Sequence, residues 1–315
     1  MGNRDKKLDL AARAAWLYYV ANNTQDMIAA KLNLSRQAAQ RLVSLADAEG
    51  LIRHRLEHPL SECIELSEKL RDRFDLSYCD VTPSDTDAAN PLAALGAAGA
   101  TCLESYLASK IPTVVALTAG RSLRAMVSYV SPMNTPQHKI VSLQGHMSPD
   151  GRTSHYEVVM ALADRVNAQA FLLPTPVLAR NSEERSALQQ QRVFQAVLEL
   201  LRQARVAFVG IAEVAWNGPL QQDGYYSEAD MSELIERGAV GSILAWAYDR
   251  HGRLVEASVN ERVAGPPLGL LPPRRTVALA IGANKVEGTL GALRGKLISG
   301  LITDEATAGL ILKQA

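Results

Sequence analysis

The stretch Thr24-Gln25-Asp26-Met27-Ile28-Ala29-Ala30-Lys31-Leu32-Asn33-Leu34-Ser35-Arg36-Gln37-Ala38-Ala39-Gln40-Arg41-Leu42-Val43-Ser44-Leu45-Ala46 decides the fold of the first part of the chain. Thr24 can cap a short helix over Gln25–Lys31 that turns Ile28 and Ala29 inward and leaves Gln25 and Asp26 outside. Leu32-Asn33-Leu34 then makes a turn, with Asn33 at the position that must tolerate a left-handed backbone. Ser35 caps the next helix, in which Ala39, Leu42, Val43 and Ala46 share one face and Arg36, Gln37, Gln40 and Arg41 share the other. Upstream, Leu8, Ala11, Ala12, Ala15, Trp16, Tyr19 and Val20 recur at helical spacing, so a helix precedes the pair until Asn22-Asn23 breaks it. Small Ala29 beside the turn allows the close helix crossing of a helix-turn-helix.

The outward quartet gives this unit its chemistry. Arginine pairs with guanine and glutamine with adenine in bidentate fashion in the major groove, each worth roughly 1–3 kcal/mol of discrimination. Arg36, Gln37, Gln40 and Arg41, with Thr24, Gln25 and Ser35 at the two helix starts, are therefore the expected DNA-contacting set. An ordinary helical hairpin with a solvated polar face is the plainer alternative. Residues 1–57 carry nine basic side chains against six acidic ones, a mild excess usable on phosphates. After Gly50, Leu51–Leu56 reads equally as a basic wing, with Arg53 and Arg55 at phosphates, or as an exit strand. His54, His58 and Cys63 are close in sequence, but Pro59 and the lack of a fourth ligand argue against a metal, and none is expected.

Outward from this unit, the bulk properties are those of a globular protein. The chain has 315 residues, 47% hydrophobic and 21% charged, with a formal net charge of zero. That length favours a small domain plus a larger one, placed here at 1–57 and 58–315. No run of about 18 apolar residues appears, and the N-terminus leads into an amphipathic helix, so a cytoplasmic protein without membrane association is expected. Cys63, Cys79 and Cys102 are odd in number and unrelated in spacing, which excludes a disulfide framework and favours small core residues.

Ser61–Phe74 reads as a connecting helix of a kind that often dimerises. Beyond it, apolar strands are expected at Thr113–Thr118, Lys139–Gln144, Ala170–Leu173, Val206–Ile211, Ser242–Ala247, Thr276–Ile281 and Leu297–Ile302. Helices are expected near 92–109, 122–130, 155–167, 184–203, 228–237, 284–294 and 304–313. Such alternation means an α/β fold, a mainly parallel Rossmann-like sheet covered on both faces. Ligands then bind outside the carboxyl ends of the strands. Two loops there stand out. Thr118-Ala119-Gly120-Arg121-Ser122 follows a strand and opens a helix, so free N–H groups and Ser122 can cradle an anion or a hydroxyl-rich ligand. Gly282-Ala283-Asn284-Lys285 does the same, with a lysine that the helix dipole disfavours unless an anion is bound. Neither matches a Walker A or dinucleotide fingerprint, and no cofactor is expected. Gly96 and Gly99 read as close helix packing.

These residues resemble the SorC family of sugar-responsive bacterial regulators over nearly the whole chain. The most specific stretch runs from Ala280-Ile281-Gly282-Ala283-Asn284-Lys285 through Gly291-Ala292-Leu293-Arg294-Gly295 to Leu301-Ile302-Thr303-Asp304-Glu305-Ala306-Thr307-Ala308. Leu173-Pro174-Thr175-Pro176, Gly238-Ala239-Val240-Gly241 with Tyr248-Asp249-Arg250-His251-Gly252, and Ser142-Leu143-Gln144-Gly145 support it in the same order. The resemblance implies a winged or simple helix-turn-helix, an effector domain similar to sugar-phosphate isomerases, and a dimer or tetramer. It implies that Ala119, Gly120, Arg121, Ser122 and Lys285 hold a phosphate end, and that Gln144, Gly145 and Asp249 meet hydroxyls. Arg121 departs from the Gly-Thr or Gly-Ser pair frequent in the family. Gln144 stands where some members carry a Schiff-base lysine, so binding should be noncovalent. The expectation is a repressor of a carbohydrate or polyol operon that binds operator duplex DNA and a sugar, polyol or sugar phosphate. The rival is an isomerase-like enzyme, but Asp249, His146, Glu157 and Glu213 offer no evident acid–base pair, and no catalytic residue is assigned.

Overall fold

The computed structural model describes residues 3–52, 61–84, 90–147 and 157–315. The chain divides into two compact units, Met1–His58 and Pro59–Ala315. The first holds α1 (Asn3–Tyr19), α2 (Gln25–Leu32) and α3 (Arg36–Ala48). Thr24 Oγ1 accepts from the Met27 N–H and Ser35 Oγ from the Ala38 N–H, so both helices start where their caps dictate. Asn33 takes φ 55° and ψ 51°, and the Leu34 N–H closes the turn on the Ala29 carbonyl at 2.8 Å. The core joins Ala11, Ala14, Ala15 and Leu17 to Ile28, Ala29, Ala39, Leu42, Val43 and Ala46. The expected inner face of α1 needs correction. Ala12, Trp16, Tyr19 and Val20 are exposed, because α1 packs through Ala11, Ala14 and Ala15, small residues that admit close approach where a tryptophan would not.

The second unit begins with α4 (Ser61–Phe74), β1 (Tyr78–Thr82), α5 (Ala93–Leu107), β2 (Val114–Leu117), α6 (Arg121–Tyr129), β3 (Lys139–Met147), α7 (Val159–Val166) and β4 (Gln169–Pro176). It continues with α8 (Ser182–Gln189), α9 (Arg192–Arg202), β5 (Ala204–Gly210), β6 (Ala212–Glu213), α10 (Pro219–Gln222), α11 (Glu228–Glu236), β7 (Ala239–Ile243) and β8 (Trp246–Asp249). It ends with α12 (Ser258–Arg262), β9 (Thr276–Leu279), α13 (Val286–Arg294), β10 (Gly300–Asp304) and α14 (Glu305–Gln314).

Seven strands form one sheet in the order β1-β10-β9-β5-β2-β3-β4, every pairing parallel. Period-2 alternation sorts the side chains. Val114, Ala116, Ala207, Val209, Ala278 and Leu301 face the core shared with α4, α9, α13 and α14. Val115, Leu117, Val206, Phe208, Val277, Leu279 and Ile302 face the core shared with α5, α6 and α7. The near-continuous apolar runs of these strands follow from burial on both faces. On the α5/α6 side, a Cβ on Gly96 would lie 2.9 Å from the Ala125 backbone, the close packing expected of that glycine. Pro174 and Pro176 lie in β4, an edge strand, where a missing N–H does least harm.

Four expectations shift. The strand read at Ser242–Ala247 turns in its middle: Leu244 (φ 56°) and Ala245 (φ 66°) make the corner of an antiparallel hairpin, β7–β8, which pairs with β6. The Tyr226 hydroxyl, donating to the Ala245 carbonyl at 3.0 Å, helps hold that corner. The helix read over 184–203 is α8 and α9, broken at extended Gln191; α8 buries no side chain, whereas Phe194, Val197 and Leu201 anchor α9. The last strand starts at Gly300, since Lys296 (φ 52°) and Leu297 still close the end of α13 on Leu293 and Ala292. Edge strand β1 was not expected, because Asp80 interrupts its apolar pattern. No helix of the described residues is long and apolar enough to cross a membrane, and no described group of three or more His, Cys, Asp or Glu could hold a metal ion.

Candidate functional site

Strand order reverses between β2 and β5: β2, β3 and β4 progress one way, whereas β5, β9 and β10 progress the other. A crevice opens at such a switch point because the loops beyond the two strands lead to opposite faces. Here Thr118 Oγ1, at the end of β2, accepts from the Gly210 N–H of β5 at 3.1 Å and fixes the two strand ends together. Beyond them lies a cavity of about 450 Å³.

Two helix starts face it. Gly120 (φ 147°) opens α6 and Gly282 (φ 111°) opens the turn into α13, backbone conformations that disfavour any side chain. Among the described residues no side chain caps either start, which leaves their first N–H groups open to a ligand. Arg121, Ser122 and Lys285 bring side chains to these starts, and all three line the cavity with Ala119 and Gly120. Lys285 Nζ donates to the Ile211 carbonyl. Burial, reinforced by the Arg121 charge, lowers the Lys285 pKa from its ordinary value, while Glu213 acts in the opposite direction. The cation therefore sits where an anion would relieve it.

Gln144 of β3 lines the cavity. Gly145 does not: it packs against backbone of Thr175 and Pro176, where a Cβ would lie 2.2 Å from the Pro176 carbonyl oxygen. Nor does Asp249. Its Oδ1 accepts from the His251 and Arg253 N–H groups at 2.8 and 2.9 Å; burial opposes its charge, but these bonds hold its carboxyl below the usual aspartate value. It forms a turn. Residues not anticipated complete the wall: Asp223 and Tyr225 after α10, Ser242 and Leu244 of the hairpin, and Leu92 before α5. They lie far apart in sequence, and only the fold gathers them.

In the first unit, Arg36, Gln37, Gln40 and Arg41 are all exposed on α3, with Thr24 and Ser35 exposed at the caps and Gln25 half-buried. Arg36 pairs with Asp26 at 3.6 Å, both side chains about two-thirds exposed, so the pair is weak and open to exchange for a phosphate. The expected wing residues Arg53 and Arg55, and His54 and His58, lie outside the described residues.

Residues 58–313 match the family described as "Putative sugar-binding domain". The erythritol catabolism regulatory protein EryD of Brucella abortus is 31% identical over 305 residues, spanning 97% of this chain and 96% of its own length. The sorbitol operon regulator of Klebsiella pneumoniae is 27% identical, spanning 99% of this chain and all of its own. The crystal structure of that full-length regulator, SorC, superposes with a TM-score of 0.75 at 28% identity, covering 96% of this chain and 98% of its own. With the switch-point cavity in place and similarity running through both units, the chain belongs to the SorC family of sugar-binding bacterial transcriptional regulators.

Proposed function

We propose that this chain is a cytoplasmic repressor of a carbohydrate or polyol catabolic operon, released from or bound to its operator according to whether a sugar, polyol or sugar phosphate occupies the cavity. The reading assigns residues 1–57 to DNA binding through α2 and α3 as a helix-turn-helix, and residues 58–315 to effector binding and assembly into a homodimer or tetramer. Relatives named for erythritol catabolism and a sorbitol operon support a polyhydroxylated effector.

The observation that carries the reading is that Arg121 and Lys285 line one cavity at two helix starts that no described side chain caps. Cations and free N–H groups there suit a phosphate, and the amide of Gln144 and the carboxylate of Asp223 suit hydroxyls. Gln144 has no amine for imine formation at its position, and the reading assigns Lys285 to a phosphate rather than to a carbonyl, so the ligand is taken to be held noncovalently. An isomerase-like reading has less support, since turnover needs a positioned acid and base and the cavity's charged groups are chiefly cations.

A thermal-stability screen against sugars, polyols and their phosphates tests this. A true effector at about 100 times its Kd adds about 2.7 kcal/mol and raises Tm by about 5–10 °C for a domain of this size. Absence of any shift across the screen, or catalytic turnover of a sugar phosphate, would overturn the reading.

A further inference from the structure

One wall of the cavity is bonded along the carboxyl ends of β9, β10 and β1 to the start of α4. The Gly282 N–H, in the loop that carries Lys285, donates to Thr307 Oγ1 at 2.8 Å. The Thr307 N–H donates to Asp304 Oδ1 at 3.0 Å, and Asp304 Oδ2 accepts from the Ser84 hydroxyl at 2.7 Å. Ser84 is bound from both sides, since its Oγ accepts from the Ala306 N–H at 2.9 Å and its own N–H donates to Glu305 Oε2 at 3.0 Å. The other carboxylate oxygen, Glu305 Oε1, accepts from the Cys63 thiol at 3.3 Å. Cys63 stands in the first turn of α4, the first helix of the second unit.

We propose that Thr307, Asp304, Ser84 and Glu305 are positioning residues that couple the Gly282–Lys285 wall of the cavity to the start of α4 at Cys63, so that occupancy of the cavity is felt at the helix following the N-terminal unit.

Three features carry this. The chain of bonds is unbroken, and it is sheltered at its ends: Thr307, Asp304 and Cys63 are 1, 7 and 6% exposed, whereas Ser84 and Glu305 between them are half-buried. Buried networks have few alternative partners, so a displaced member leaves its neighbour unsatisfied and the arrangement changes as a set. The network also spends charge where packing alone needed none. A helix cap at α14 requires only Asp304, yet Glu305 reaches both Ser84 and a buried thiol. Burial and then Glu305 push that thiol's pKa up to about 12, so Cys63 stays a donor at any physiological pH. The ends of the network are the two places a regulator must connect. The inference rests on the effector reading of the cavity.

Hydrogen–deuterium exchange on the full chain tests it, using Cys63→Ala and Cys63→Ser. The two variants are of similar size and differ in whether a donor reaches Glu305. We expect Cys63→Ala to speed exchange at the Gly282–Lys285 amides about fivefold or more, and Cys63→Ser to restore wild-type rates. In reverse, Thr307→Val, which removes the acceptor for Gly282, should speed exchange within residues 61–70, because coupling is reciprocal. Changes confined to the neighbourhood of each substitution, or Ala and Ser behaving alike at position 63, would overturn the proposal. Unchanged exchange in β2 and β5 controls for folding. A second arm adds inorganic phosphate as the anion probe. Protection at Gly282–Lys285 should extend to residues 61–70 in wild type and Cys63→Ser but not in Cys63→Ala. Equal extension in all three sinks the relay, whereas no protection of the wild type anywhere in the cavity counts against the phosphate site in the effector reading, and the ligand-free arm then judges the relay alone.

Discussion

Lys285 is charged against its surroundings. Burial and Arg121 keep its pKa below the ordinary 10.5, so the ammonium costs the fold stability at pH values below its folded pKa, and the cost fades as the lysine loses its proton. A bound phosphate reverses the balance. Lys285→Ala should therefore weaken a phosphorylated effector by about 10- to 100-fold, the worth of one hydrogen bond to a charged group, and leave a neutral polyol little changed in calorimetric titration. The same charge predicts that affinity for the phosphorylated effector falls with rising pH, starting below 10.5, with no such fall for a polyol. Should Lys285→Ala leave every effector response untouched, the phosphate site is elsewhere. Asp249 makes the opposite prediction. Its carboxylate is spent on two backbone N–H groups, so Asp249→Ala should lower stability by roughly 1–2 kcal/mol in chemical denaturation and leave effector affinity within about twofold.

At the scale of elements, α3 presents its arginines and glutamines because alanine, leucine and valine claim the other face. Arg41→Ala should reduce affinity for the operator by about 1–3 kcal/mol, and leave ligand-induced stabilisation intact. Asn33 is the hinge of the α2–α3 turn, and a β-branched side chain at φ 55° is strained; Asn33→Val should cost about 1–2 kcal/mol, seen as a lower Tm of the full chain. These elements were legible in the sequence because each is written locally, in a cap, a period and a turn residue a few positions apart. The β7–β8 corner was not, since Leu244 and Ala245 carry no turn signature and take positive φ only where burial and the Tyr226 hydroxyl hold them. Asp80 hid β1 in the same way, and extended Gln191 divided a helical pattern that looked continuous.

Across the whole molecule, half of the cavity could be read in advance and half could not. Its Arg121 and Lys285 walls are strand-to-helix loops, each contiguous in sequence. Asp223, Tyr225, Ser242 and Leu92 reach the same space from separate elements that only the sheet order brings together. Gly145 and Asp249, expected from resemblance alone, are not in its lining, because Gly145 packs against the Thr175–Pro176 backbone and Asp249 closes its own turn, neither of which the local sequence signals. Under the proposed function, occupancy of this cavity changes how the quartet on α3 holds a duplex. This is tested most directly by fluorescence anisotropy of the full chain on a duplex selected from randomised DNA, with and without the sugar, polyol or sugar phosphate that stabilises the protein most. A salt-dependent affinity is expected that shifts at least about tenfold on adding ligand, a coupling of about 1.4 kcal/mol. Identical affinity with and without ligand, or failure to select any sequence, would contradict it.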